Sequence, residues 1–90
     1  MQLLVVGAGE MGRWFARQSG AEAVAFADRD AVTAREAAAT LESARAVPLD
    51  IDETFDVVCV AVPISAVSTA IEAHADSATE AVVDVSGEMR

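Results

Sequence analysis

The sequence predicts an α/β domain built on a doubly wound parallel sheet, with strand order 3-2-1-4-5. Three observations predict it. Apolar runs that read as buried strands alternate with stretches of helical periodicity. The connections between them are short. The first apolar run ends in a glycine-rich turn that opens a helix.

Leu3 to Val6 is a continuous apolar run stopped by glycine, the mark of a strand buried on both faces. From Glu10 the period changes. Met11, Trp14, Phe15 and Ala16 recur at helical spacing, and Gly20 closes that helix. Glu22 to Asp28 reads as the second strand and ends in acid. Asp30 caps a second helix, rich in alanine, arginine and glutamate, to about Ser43. Arg45 to Asp50 is a short third strand, and Pro48 confines it to an edge. Residues 51–55 read as a polar loop or a single turn. Asp56 to Pro63 is the strongest strand signal, a run of β-branched and small residues. Ile64 to Ala75 is an amphipathic helix with Ile64, Val67 and Ile71 on one face. Ala81 to Val85 is the fifth strand, ending at Ser86 and Gly87. No internal repeat or linker interrupts the chain. Right-handed crossovers between successive parallel strands then set the spatial order.

Ninety residues make one domain, and 53% of them are hydrophobic with few aromatics. The core must therefore be alanine and valine, with leucine and isoleucine in support. The net charge is −9, and every basic residue is arginine. That charge repels phosphate backbones and anionic bilayers, which argues against nucleic-acid and membrane partners. A lysine-free acidic surface resembles proteins of high-salt cytoplasm, where the Debye length shrinks to about 3 Å at 1 M salt. A GC-rich codon bias is the plainer explanation. One cysteine, Cys59, allows no internal disulfide and fits a reducing interior. No apolar run reaches the roughly 18 residues of a membrane helix. No basic leader precedes the first strand. A cytoplasmic location is expected.

The chemistry starts at "LLVVGAGEMGRW". Gly7, Gly9 and Gly12 have the spacing G-x-G-x-x-G. In a dinucleotide-binding turn the first glycine permits the sharp exit from the strand. The second lets a pyrophosphate approach the backbone, and the third lets the helix pack close. The helix start, at Glu10 and Met11, then offers free amide N–H groups and partial positive charge to the phosphates. The motif alone is a weak signal, but it follows a strand and opens a helix. It also begins a strand–helix–strand unit, and Asp28 stands 21 residues after Gly7 at the end of the second strand. A carboxylate there accepts hydrogen bonds from both hydroxyls of an adenosine ribose and repels a 2′-phosphate, which favours NAD over NADP. Arg29 either stacks on the adenine, reaches toward a 2′-phosphate or stays solvated in the loop.

A second edge of the site is expected at Ala61, Val62 and Pro63, where the fourth strand ends beside the topological switch point. Small residues there let a cofactor lie across the strand end, and Pro63 fixes the exit into the first turn of the next helix. Ser65 reads as a cap of that helix, or as a contact to the nicotinamide ribose. Asp84 reads as a loop anchor, or as a neighbour of the nicotinamide along with Ser86. His74, the only histidine, is expected at a helix C-terminus away from the cleft. Cys59 reads as a small buried apolar residue. No metal cluster and no catalytic triad is visible.

Taken together, "LLVVGAGEMGRWFA", "AFAD", "DVVCVAVPIS" and "AVVDVS" resemble the N-terminal half of the prephenate and arogenate dehydrogenases. The likeness spans nearly the whole chain. It implies a Rossmann-type domain over residues 1–90, from the N-terminal part of a longer enzyme. The implied reaction is NAD(P)-dependent oxidation of a cyclohexadienol coupled to decarboxylation, leading toward tyrosine. The resemblance implies that Gly7, Gly9, Gly12 and Asp28 hold the cofactor, with Ala61 to Pro63 along its nicotinamide half. The family usually shows D-x-x-S-x-K after the fifth strand. Here Asp84 stands, but Gly87 and Met89 fall at the serine and lysine positions and Ser86 comes one residue early. The family's catalytic histidine, and the helical domain that completes the substrate pocket and the homodimer, follow this region. His74 does not match that histidine. No catalytic residue is therefore assigned, and the segment alone is expected to bind NAD weakly and to be inactive. Other readings are the cofactor domain of a deazaflavin-dependent NADP oxidoreductase or of a 3-hydroxyacid dehydrogenase, and a non-catalytic nucleotide-sensing module.

Overall fold

A computed structural model describes residues 1–85, apart from the side chain of Ile64. Five parallel strands form one sheet in the order β3-β2-β1-β4-β5. They are β1 (Gln2–Val6), β2 (Ala23–Ala27), β3 (Ala44–Val47), β4 (Phe55–Val60) and β5 (Ala78–Asp84). Three α-helices connect or flank them: α1 (Glu10–Ser19), α2 (Ala31–Ala38) and α3 (Val67–His74). The expected order and connectivity are both present.

The period-two pleat of β1 divides the core into two layers. Leu3 and Val5 join Val24, Phe26 and Cys59 on the face covered by α1 and α2. Leu4 and Val6 join Ala25, Val58 and Val60 on the opposite face, where Ala70 and Ile71 of α3 pack. Leu3, Leu4, Val5 and Phe26 are fully buried, and each such side chain contributes about 1.5–3 kcal/mol over an exposed one. Trp14 falls on the helical spacing of its neighbours but is 48% exposed, so it is not a core residue.

Several boundaries differ from the sequence pattern for identifiable reasons. α2 ends at Ala38, not near Ser43. The Thr40 hydroxyl donates to the Ala37 carbonyl at 2.6 Å, and the Ser43 carbonyl accepts the Val24 N–H at 3.0 Å, so the chain has already joined the sheet. β3 stops at Val47, directly before Pro48. β4 takes in Phe55, which is buried, and ends at Val60 rather than Pro63. The expected third helix opens as a separate 3₁₀ turn, Ile64–Ala66. There the Pro63 carbonyl accepts the Ala66 N–H at 2.8 Å, a three-residue step. β5 begins three residues earlier than the apolar run, at Ala78. Polar Thr79 and Glu80 are tolerated because they are exposed, and a register shift between Phe55 and Val57 admits one extra residue on β5 there.

The connection from β3 to β4 carries no helix. It is held by Arg45, whose guanidinium donates to Glu53 at 2.6 and 3.2 Å and lies 6.0 Å from the centre of the Phe55 ring. The pair is exposed, so its role is to shape the loop more than to stabilise the domain. This loop leaves Leu49 at the sheet's carboxyl edge, 38% exposed.

Candidate dinucleotide-binding site

Four hydrogen bonds hold the glycine turn. Gly7 N–H donates to the Ala27 carbonyl at 2.8 Å, and Ala61 N–H donates to the Val6 carbonyl at 2.8 Å. Ala8 N–H donates to Asp28 Oδ2 at 2.8 Å, and Arg13 Nε donates to the Ala8 carbonyl at 2.9 Å. The ends of β1, β2 and β4 are thereby tied to one turn. Gly7 has φ +100°, and a methyl group on it would overlap the Ala61 carbonyl group. A methyl group on Gly12 would overlap the Gly7 carbonyl oxygen and lie 2.8 Å from Val5 Cγ1. Gly9 differs, because nothing lies within 4 Å of its missing Cβ. Two of the glycines are thus required by packing, and the third faces open space.

α1 starts beside that space. Gly9 caps it without a side-chain bond, and the first helical bond runs from Arg13 N–H to the Gly9 carbonyl at 3.0 Å. Among the described residues, the N–H groups of Glu10, Met11 and Gly12 have no backbone acceptor. They form a set of donors at the positive end of a ten-residue helix.

Two cavities meet at Gly9 and Ala61. One, of about 870 Å³, runs along α1 past Glu10, Met11, Arg13, Trp14 and Arg17. The other, of about 570 Å³, lies on the α3 side and is lined by Gly7, Asp28, Arg29, Val62 and Pro63. All the residues expected at the site are therefore gathered at these cavities, except Gly12, which is buried beneath the turn. Leu49, Thr69, Ala73 and His74 also line the second cavity and were not expected there. Arg13 is a further structural member, since it props the turn from below. Its signal in the sequence was only its position one turn into α1.

Asp28 has a second role beyond the one expected. Its Oδ2 accepts from Ala8, and its Oδ1 accepts from the Asp30 N–H at 2.8 Å. A carboxylate has about four lone-pair sites, so acceptor capacity remains for a ribose. The adjacent Arg29 is exposed and lines the same cavity. Ser65 does not cap α3, because it sits inside the 3₁₀ turn and Ala66 takes the cap position without a side-chain bond. Asp84 ends β5 in register with Val60. Ser86, Gly87 and Met89 lie outside the described residues. Cys59 is fully buried, and burial, with a smaller contribution from Asp84, pushes its thiol up to about 12. It stays a protonated packing residue.

His74 corrects the sequence reading. It is the last residue of α3, as expected, but it is 4% exposed and lines the same cavity as Gly7 and Asp28. Burial holds its imidazole below the ordinary value, so the neutral ring is favoured over a cation serving the helix dipole. The unfolded chain binds this proton first as pH falls, so the associated stability is complete above about pH 6.5 and is lost as pH falls through the folded-state value. Denaturant unfolding at about pH 7.5 and 5.5 is expected to show a loss of stability that His74→Gln reduces. An identical loss in both proteins would contradict this.

Among the described residues, no group of His, Cys, Asp and Glu is placed to hold a metal, and no helix is long and apolar enough to cross a membrane.

An open parallel sheet whose first strand turns through three glycines into a helix, with an acid at the end of the second strand, defines a Rossmann-type dinucleotide-binding domain. Family comparison gives the same class. The chain belongs to the family described as NADP oxidoreductase, coenzyme F420-dependent, whose model matches residues 2–88. Among solved structures it is similar to MGS-M5, a lactate dehydrogenase enzyme from a Medee basin deep-sea metagenome library. The TM-score is 0.79 at 16% sequence identity, and the match covers 96% of this chain and 37% of that one. At that identity the likeness speaks for the fold alone. The chain thus spans little more than a third of that enzyme's length. No curated protein matches the sequence. Neither comparison supports a prephenate dehydrogenase in particular.

Proposed function

We propose that this chain is the cofactor-binding part of an NAD(P)-dependent oxidoreductase akin to the deazaflavin-linked reductases, and that it takes NAD in preference to NADP. The family description supports the first half of this reading. Asp28 carries the second, because its carboxylate is anchored by two backbone N–H groups at the cavity wall. A 2′-phosphate would meet that fixed negative charge, whereas ribose hydroxyls can donate to it.

The residues fit such a cofactor on three counts. The α1 start offers free donors, the Cβ position of Gly9 is open, and Asp28 has unused acceptor sites. A bound nicotinamide would supply or accept the hydride. The chain's own part is to hold the pyrophosphate at Glu10, Met11 and Gly12 and to fix the adenosine ribose at Asp28. Ala61 to Pro63 would leave room for the nicotinamide half. A substrate pocket and an acid or base would come from elements beyond these residues. The narrower prephenate reading stays a resemblance of motifs.

Calorimetric titration with NADH and NADPH tests the proposal. NADH is expected to bind at least about tenfold more tightly, the equivalent of one charge-assisted hydrogen bond. Tighter binding of NADPH would overturn the NAD preference. Absence of binding by either, up to millimolar concentration, would overturn the site.

A further inference from the structure

The second cavity extends well past the ribose acid. Ala66, Thr69, Ala70, Ala73 and His74 of the α3 segment all line it. These positions recur at steps of three and four, so they form one helix face. Three of the five are alanine, and Leu49 lines the same cavity. His74 ends the row and, among the described residues, is the one polar residue in the buried set, at 4% exposure. Among the described residues its imidazole has no hydrogen-bond partner. No side-chain nitrogen or oxygen among the described residues is shut away without a partner, so the ring nitrogens keep some access to solvent, and the residue itself lines the cavity.

A neutral imidazole presents one N–H donor and one bare nitrogen acceptor. With the pyrophosphate at the α1 start and the ribose at Asp28, the second cavity, which Asp28, Arg29 and His74 share, is the space open to the base on that ribose. The rim of adenine carries an amine donor and ring-nitrogen acceptors, which matches what His74 lacks.

We propose that His74 reads the base: its imidazole hydrogen-bonds the edge of the adenine of a dinucleotide whose ribose is held at Asp28. This rests on the dinucleotide reading of the cavity. His74 is the chain's only histidine, so its ring protons give isolated NMR signals. Titration of the chain with AMP is expected to move those signals and to give nuclear Overhauser contacts to adenine H2 or H8. Nicotinamide mononucleotide is expected to leave them in place. His74→Phe is expected to weaken AMP about fivefold, the worth of one neutral hydrogen bond, with His74→Gln recovering part of it. Neither variant should alter affinity for nicotinamide mononucleotide, whereas a merely structural role would lower both. If NADH shifts the Gly9 and Met11 amides but leaves the imidazole unmoved, the role of His74 falls and the dinucleotide reading stands. If NADH shifts neither, both fall.

Discussion

Gly7→Ala is expected to destabilise the domain by about 3 kcal/mol, the sum of overpacking and left-handed backbone strain. The glycine holds φ +100°, and a Cβ there would sit 2.7 Å from the Ala61 carbonyl carbon. That neighbour is backbone, and its own N–H is bonded to the Val6 carbonyl, so it cannot retreat without breaking the link between β1 and β4. For a domain of this size the melting temperature should fall by more than about 10 °C. Gly9→Ala makes the internal control. It has φ −79° and nothing within 4 Å of the new methyl group, so stability should stay within about 0.5 kcal/mol. Its expected loss is in NADH affinity, because the methyl group projects where a pyrophosphate would approach. Thermal melts and NADH titrations of the two variants separate the structural glycine from the binding glycine. Equal stability of both variants would contradict the packing role of Gly7.

Asp28→Ala is expected to reverse cofactor preference. Removing the carboxylate removes the acceptor for the ribose hydroxyls, and each charge-assisted bond is worth about 1.5–3 kcal/mol. NADH should therefore weaken by about tenfold to a hundredfold. NADPH should weaken less or improve, because the repulsion of its 2′-phosphate disappears while Arg29 remains. The same change leaves the Ala8 and Asp30 N–H groups without their acceptor. Ala8 is fully buried, so stability should also fall by about 1–3 kcal/mol. Asp28→Asn keeps one carbonyl oxygen and should fall between the two. Unchanged discrimination between NADH and NADPH in Asp28→Ala would remove this residue from cofactor choice.

The strand order was legible because each buried strand is a continuous apolar run and each crossover is short. The glycine turn was legible because three glycines and one acid have fixed spacing. The cavity beyond Asp28 was not. Leu49 lines it from the β3–β4 loop, which is held by the Arg45–Glu53 pair, a contact between side chains eight residues apart. His74 was misplaced because its position at a helix end says nothing about which face it occupies. The alanines at 66, 70 and 73 set that face, and alanine suits a core and a surface equally well. The length of β5 was missed for a related reason: polar Thr79 and Glu80 interrupt the apolar pattern, yet Ala78 before them already pairs with Phe55 across a register shift.

The proposed binding mode lays a dinucleotide across the glycine turn, with its pyrophosphate at the α1 start and its adenosine ribose at Asp28. Amide chemical shifts, recorded on the isotope-labelled chain during an NADH titration, test it residue by residue. The predicted result is saturable shifts at Gly9, Glu10, Met11 and Gly12, with a second group at Asp28 and Arg29. Shifts confined to other parts of the chain, or none at millimolar NADH, would contradict it.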